Sequence, residues 1–172
     1  MDKCIENNFK KDDWIVHSCH GVSHIEGIDK KSLDGKEKVY YKIKTRELTY
    51  WQPVKTMSEA RIRAISSIPS LKIALSIIRK KPKILGSDYR ERKNTIQESF
   101  KNASLSSRSE LLRDLNGRVA QHRDNIYEEN MLDTLKQQFT EEWAIANNCG
   151  IKQAKIILEE ALKDSESKLE PV

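Results

Sequence analysis

The chain has 172 residues, 37% of them hydrophobic and 33% charged, with a formal net charge of +5. That is enough for one mid-sized domain or two small ones, and its aliphatic residues recur in periodic blocks, which excludes a disordered chain. No apolar run is long enough to span a bilayer, the N-terminus lacks the apolar segment of a secretory signal, and three widely spread cysteines (Cys4, Cys19, Cys149) give no disulfide framework, so the expected setting is a reducing cytoplasm without membrane attachment.

The first third of the chain carries period-2 patterning. "WIVHSC" alternates from Trp14, "VSHIEGI" follows a tight turn at His20-Gly21, and Asp34-Gly35 is a strong hairpin signal. "KVYYKIK" and "LTYWQPV" are aromatic and β-branched, as strands prefer, and a fifth short strand is expected around "RIRAIS". Five short strands so close together predict a small antiparallel barrel or strongly bent sheet.

After residue 67 the period becomes helical. Ser70 is placed to cap "LKIALSIIRKK", whose Leu71, Ala74, Leu75 and Ile78 form one stripe before Pro82 stops it. Asp88 with Glu91 makes a capping-box start for "YRERKNTIQESF", and Ser107 with Glu110 does so for the next helix. The longest helix is expected from about residue 127 to 147, with Met131, Leu132, Leu135, Phe139, Trp143 and Ala146 inward and Gly150 as a left-handed C-terminal cap. "IKQAKIILEEAL" is a final short helix and the tail after it should fray. The fold class is therefore α+β in two modules: residues 1–66 a β domain, residues 67–172 an all-α domain of about five helices.

Few residues suggest chemistry. Adjacent acids at Glu128-Glu129, Glu141-Glu142 and Glu159-Glu160 diverge by about 100° around a helix and read as solvated faces, not as a catalytic pair. The stretch "HSCHGVSH" holds three of the four histidines; His17, Cys19, His20 and His24 are of types that ligate zinc, but their spacing matches no zinc module. The simpler reading is a turn, with Gly21 supplying the backbone angle and His20 bonding locally, and no metal or cofactor is expected. Residues 79–93, "RKKPKILGSDYRERK", hold seven basic residues against Asp88 and Glu91, which equals the whole charge excess. Such a patch either solubilises the protein or grips phosphate.

Taken together, "DWIVHSCHGVSHIEGI", "DGKEKVYYKIK" and "LTYWQPV" resemble the RNA-polymerase-interacting domain of CarD/CdnL-like bacterial transcription factors. The landmarks are Asp13, the His20-Gly21 turn, Glu26, Ile28, Gly35, Tyr41, Leu48, Thr49 and Pro53. "LKIALSIIRKKP", "LLRDL", Met131-Leu132 and "AKIILEEAL" continue the resemblance through the helical half, to about residue 163. It implies a Tudor-like β barrel that docks on the polymerase β subunit, here through Lys31, Thr49, Trp51 and Pro53. It also implies a monomeric, non-enzymatic regulator whose helical domain touches promoter DNA at the edge of the melted bubble and stabilises the open complex. Tyr89 aligns with the family's wedge tryptophan, beside Arg90, Arg92 and Lys93, whereas a DNA-touching lysine of the family falls on Glu129. The alternative is an interaction adaptor without productive DNA contact.

Overall fold

A computed structural model describes residues 9–56, 61–122 and 125–170. The chain forms two compact units, Met1–Ile65 and Ser66–Val172.

The first unit is one antiparallel sheet of five strands: β1 (Trp14–His17), β2 (Gly21–Leu33), β3 (Lys36–Lys44), β4 (Thr49–Pro53) and β5 (Ile62–Ala64). The strand order is β4-β3-β2-β1-β5, with β4 and β5 at the two edges. Of the small barrel or strongly bent sheet expected, the described residues form the open sheet: closure needs the edge strands to pair, and here they do not. Asp34 and Gly35 both have positive φ (57° and 74°) and connect Leu33 to its partner Lys36, a two-residue turn of the kind that right-twisted hairpins favour. β2 runs well past the expected end of its strand. A bulge at Glu26, between the Ile25 and Gly27 pairings, resets the register and lets the polar "DKKS" segment continue the ladder.

Ile15, Ile25, Tyr41, Ile43 and Ile62 form the core of this sheet, with Phe9, Tyr50 and Val54 packed against it. Ile15, Val16 and His17 of β1 are all buried instead of alternating, so both faces of the sheet are covered at this strand. The Tyr50 hydroxyl is buried without a hydrogen-bond partner, and burial pushes its pKa up to about 12. A folded-state pKa above the unfolded value gives stability that is present at neutral pH and lost as pH rises from about 10 through about 12. Tyr50→Phe should hold or raise stability at neutral pH, since it removes an unpaired buried group, and should flatten that alkaline loss. Denaturant melts of both proteins across this range check it; parallel losses would show that Tyr50 is not the titrating group.

The second unit is α1 (Ile68–Ile78), α2 (Tyr89–Lys101), α3 (Leu105–Gln121), α4 (Ile126–Ala146) and α5 (Ile151–Glu166). The stripes expected on α1 and α4 face inward: Leu71, Ala74, Leu75 and Ile78 are buried, as are Leu132, Leu135, Phe139 and Trp143. They meet around α3, whose residues 111–117 are all buried. Each fully buried leucine of this kind is worth about 1.5–3 kcal/mol.

The helix ends differ from expectation in instructive ways. α1 is capped by Ser67, whose Oγ accepts from Ser70 N at 3.3 Å, because Pro69 is placed in the first turn where its missing N–H costs nothing. Asp88 caps α2 as expected, accepting from Glu91 N at 2.9 Å. α3 begins at Leu105 after Ser104, ahead of Ser107. Asn148 (φ 48°), not Gly150, takes the left-handed position after α4: Cys149 N bonds Ala144 O at 3.0 Å, leaving Gly150 to start α5. α5 runs four residues beyond the expected end at Leu162, anchored where Ser165 Oγ donates to Lys80 O at 2.7 Å.

Candidate functional site

Residues directly opposite in an antiparallel ladder share a face. Thr49 is opposite Lys44, Trp51 opposite Lys42, Pro53 opposite Tyr40, and Lys31 opposite Lys38. Tyr40 is in turn opposite Asp29, and Lys42 opposite Gly27. The register thus brings Lys31, Thr49, Trp51 and Pro53 to one face of the sheet, opposite in sense to the face that presents Tyr41 and Ile43 to the core.

Trp51 lies on the edge strand β4 between Thr49 and Pro53, 41% exposed. Its Nε1 donates to Asp29 Oδ2 at 2.8 Å, and the Lys31 ammonium lies 3.5 Å from the ring centroid. A hydrogen bond on the ring edge and a cation on the ring face fix the indole, so little rotamer freedom is left to lose on binding. Next to it the bulge residue Glu26 pairs with Lys42 (3.1 Å) and Lys44 (3.4 Å); the Lys42 hydrogen bond leads in holding its carboxyl below the usual carboxylate value. Asp29 was missed by sequence reasoning. The available signal was chemical: an indole N–H held against a sheet needs an acceptor, and "IDKK" offers one two positions before Lys31.

The basic segment before and within α2 is smaller than its charge count implies. Arg79 pairs with Asp164 (3.8 Å) and Lys81 with Glu170 (2.8 Å). Arg92, expected to meet DNA, is corrected to an internal strut: it is 6% exposed. Its Nε donates to Glu128 Oε1 at 2.8 Å and its Nη1 to the carbonyls of Gly86 and Ser87 at 3.0 and 2.6 Å. Glu128 is 1% exposed and also accepts from Arg118 Nε at 3.3 Å, so it is no part of a solvated face. Glu142 likewise is buried and accepts from Ser66 N at 2.9 Å; Glu159 and Glu160 are exposed as expected. Lys80, Lys83 and Arg90 remain at the surface, and Tyr89 is 41% exposed with the Arg92 guanidinium 5.9 Å from its ring. Lys93 is half-buried with its ammonium 5.4 Å from the Tyr127 ring, and Glu129 is half-buried on the first turn of α4.

The histidine stretch makes a turn. Gly21 supplies a φ of 67°, while His17, not His20, does the local bonding: its Nδ1 accepts from Cys19 N (3.0 Å) and His20 N (3.3 Å). The His20 ring lies 4.7 Å from His17 and 5.0 Å from Tyr50. His24 is three register positions away, opposite Trp14, with Asp12 at 3.6 Å. Among the described residues no three His, Cys, Asp or Glu side chains are placed to hold one metal ion, and no helix among them is long and apolar enough to cross a membrane.

Two family models match in tandem. Residues 9–66 match the CarD-like/TRCF RID domain and residues 74–159 match the CarD C-terminal domain. Each match falls within one of the two compact units up to its last residue or so, and together they span most of the chain. The chain belongs to the CarD-like family, a family of non-enzymatic transcription factors that interact with RNA polymerase.

Proposed function

We propose that this protein is a monomeric cytoplasmic transcription regulator that docks on the β subunit of bacterial RNA polymerase and stabilises the promoter open complex. Docking uses the outer face of β2, β3 and β4, with Trp51 as the anchor and Lys31, Thr49 and Pro53 around it. The observation that carries this reading is that Trp51 is exposed yet held by Asp29 and Lys31, which is how a preorganised aromatic hot spot is built. The helical domain then meets DNA through Tyr89, Arg90 and Lys93, the tyrosine against a distorted step and the cations on phosphate. Arg92 serves by holding the turn that precedes Tyr89. Weak DNA contacts suffice, because tethering to polymerase raises their effective concentration.

A second reading, an adaptor without productive DNA contact, is favoured by Glu129 at the family's lysine position and by the burial of Arg92. One experiment separates the two. The chain is titrated onto immobilised β subunit, and open-complex decay is followed on a promoter with whole polymerase. Trp51→Ala should weaken β binding by about 1–3 kcal/mol. Tyr89→Ala and the Arg90→Glu/Lys93→Glu pair should shorten open-complex lifetime at unchanged β binding. Parental lifetimes in both leave the adaptor; parental binding by folded Trp51→Ala removes this face from the interface.

A further inference from the structure

Ile84 is 96% exposed, the most exposed of the large apolar side chains among the described residues, and it stands on a backbone that is tied down on both sides. Before it, Lys80 O is held by Ser165, Pro82 is buried with its ring against Gly117, and Lys83 N donates to Asp114 Oδ1 at 2.8 Å. The Asp114 carboxylate is itself fixed by Arg113, at 2.7 and 3.1 Å. After it, Gly86 O and Ser87 O are held by Arg92. A loose loop can expose an isoleucine by accident of its motion; here four hydrogen bonds to the flanking backbone and a ring contact hold it out.

Beside Ile84 lies a cavity of about 50 Å³ whose lining includes Lys83, Arg118, Gln121 and His122 and no carboxylate. Arg118 also holds Glu128 from the inner side. An ordered apolar tip beside a small hollow that joins apolar walls (Pro82, Leu85, Leu169) to Lys83 and Arg118 suits a partner that alternates apolar and anionic groups at short range, as a nucleic-acid strand does. Lys80 and Arg90 at the surface nearby in sequence add to the same sign of field.

We propose that Ile84 is a second apolar contact of the DNA surface. It packs on an exposed base or sugar edge of the distorted duplex while a phosphate of that strand meets the Lys83 ammonium at the mouth of the hollow. This rests on the DNA-contact reading above and extends it to a residue ahead of α2. Because its backbone is already ordered, little entropy is lost when Ile84 packs.

The test is open-complex decay with whole polymerase and full-length protein, comparing Ile84→Ala, Lys83→Gln and Tyr89→Ala, each checked by thermal melting. Ile84→Ala removes only solvent-facing atoms, so its melt should match the parent while open-complex lifetime falls about fivefold, with the salt dependence unchanged. Lys83→Gln should lower the salt slope by about one. A parental lifetime for Ile84→Ala beside a shortened one for Tyr89→Ala overturns this proposal and leaves the DNA reading standing. Parental lifetimes for both, and for the Arg90→Glu/Lys93→Glu pair, overturn the reading itself. Loss of β-subunit binding by Ile84→Ala in the absence of DNA would make Ile84 a protein contact and overturn the proposal as well.

Discussion

Glu128→Ala should cost the helical domain about 3–5 kcal/mol, among the largest effects available to a single side chain here. Glu128 is 1% exposed and receives Arg92 Nε at 2.8 Å and Arg118 Nε at 3.3 Å. The two guanidinium side chains are 6% and 18% exposed, so removing the carboxylate leaves cations that water reaches poorly. A buried pair is weak evidence for net stability, because assembling it costs desolvation; breaking it from one side is different, since that cost stays while the attraction is lost. Glu128→Gln keeps the shape and one acceptor and should cost less. All five α-helices of the described residues lie in this domain, so the far-UV α-helical signal in a urea melt reports its unfolding without the sheet. A loss under about 1 kcal/mol for Glu128→Ala would mean that the guanidinium groups find water or other acceptors. Arg92→Ala should behave alike, and any loss of DNA contact in that variant is to be weighed against its melt, because its guanidinium also holds the turn before Tyr89.

Periodicity carried the architecture. The stripes of α1 and α4 need only 3.6-residue spacing, and the Asp34-Gly35 turn and the Asp88 cap need only local chemistry, so all were legible. What stayed hidden depends on partners far along the chain. Glu128 looks like any surface acid until Arg92, 36 residues earlier, is folded against it. The same pairing turned Arg92 from a surface cation into a strut, because a charge run records sign and not accessibility. The caps moved for a smaller reason: "SSIPS" offers serines on both sides of Pro69, and proline tolerates only the first turn, which selects Ser67. Closure of the sheet depends on stagger between strands, which no alternation pattern encodes. At the candidate docking face, strand period placed Thr49, Trp51 and Pro53 on one strand, but Lys31 and Asp29 lie beyond the expected end of β2, and their convergence on Trp51 required the register of three strands at once.

Gly117→Ala should destabilise the helical domain although alanine is the better helix former. In an open helix the exchange gains up to about 1 kcal/mol. Here a Cβ on Gly117 would lie 2.6 Å from Pro82 Cβ and 2.8 Å from its Cγ, distances that real carbon atoms do not tolerate. The proline ring cannot rotate aside, and its neighbours are pinned by Ser165 on one side and Asp114 on the other. Overpacking of this kind costs about 1–3 kcal/mol, so sterics outweigh propensity and the net change should be a loss of about 1–2 kcal/mol. The displacement has a direction: Pro82 must move away from α3 and carry Lys83 and Ile84 with it, opening the wall of the basic cavity. On the function proposed, Gly117→Ala should therefore shorten open-complex lifetime with β-subunit binding unchanged, since the proposed docking face belongs to the other unit. Combining it with Pro82→Ala, which trims the ring carbon at 2.8 Å but keeps a Cβ, should recover part of the stability, giving a coupling that independent sites would not show. A Gly117→Ala protein that melts above the parent would mean that the segment over α3 yields easily. In that case the ordered presentation of Ile84, and the low entropic cost it implies for DNA contact, would be lost as an argument.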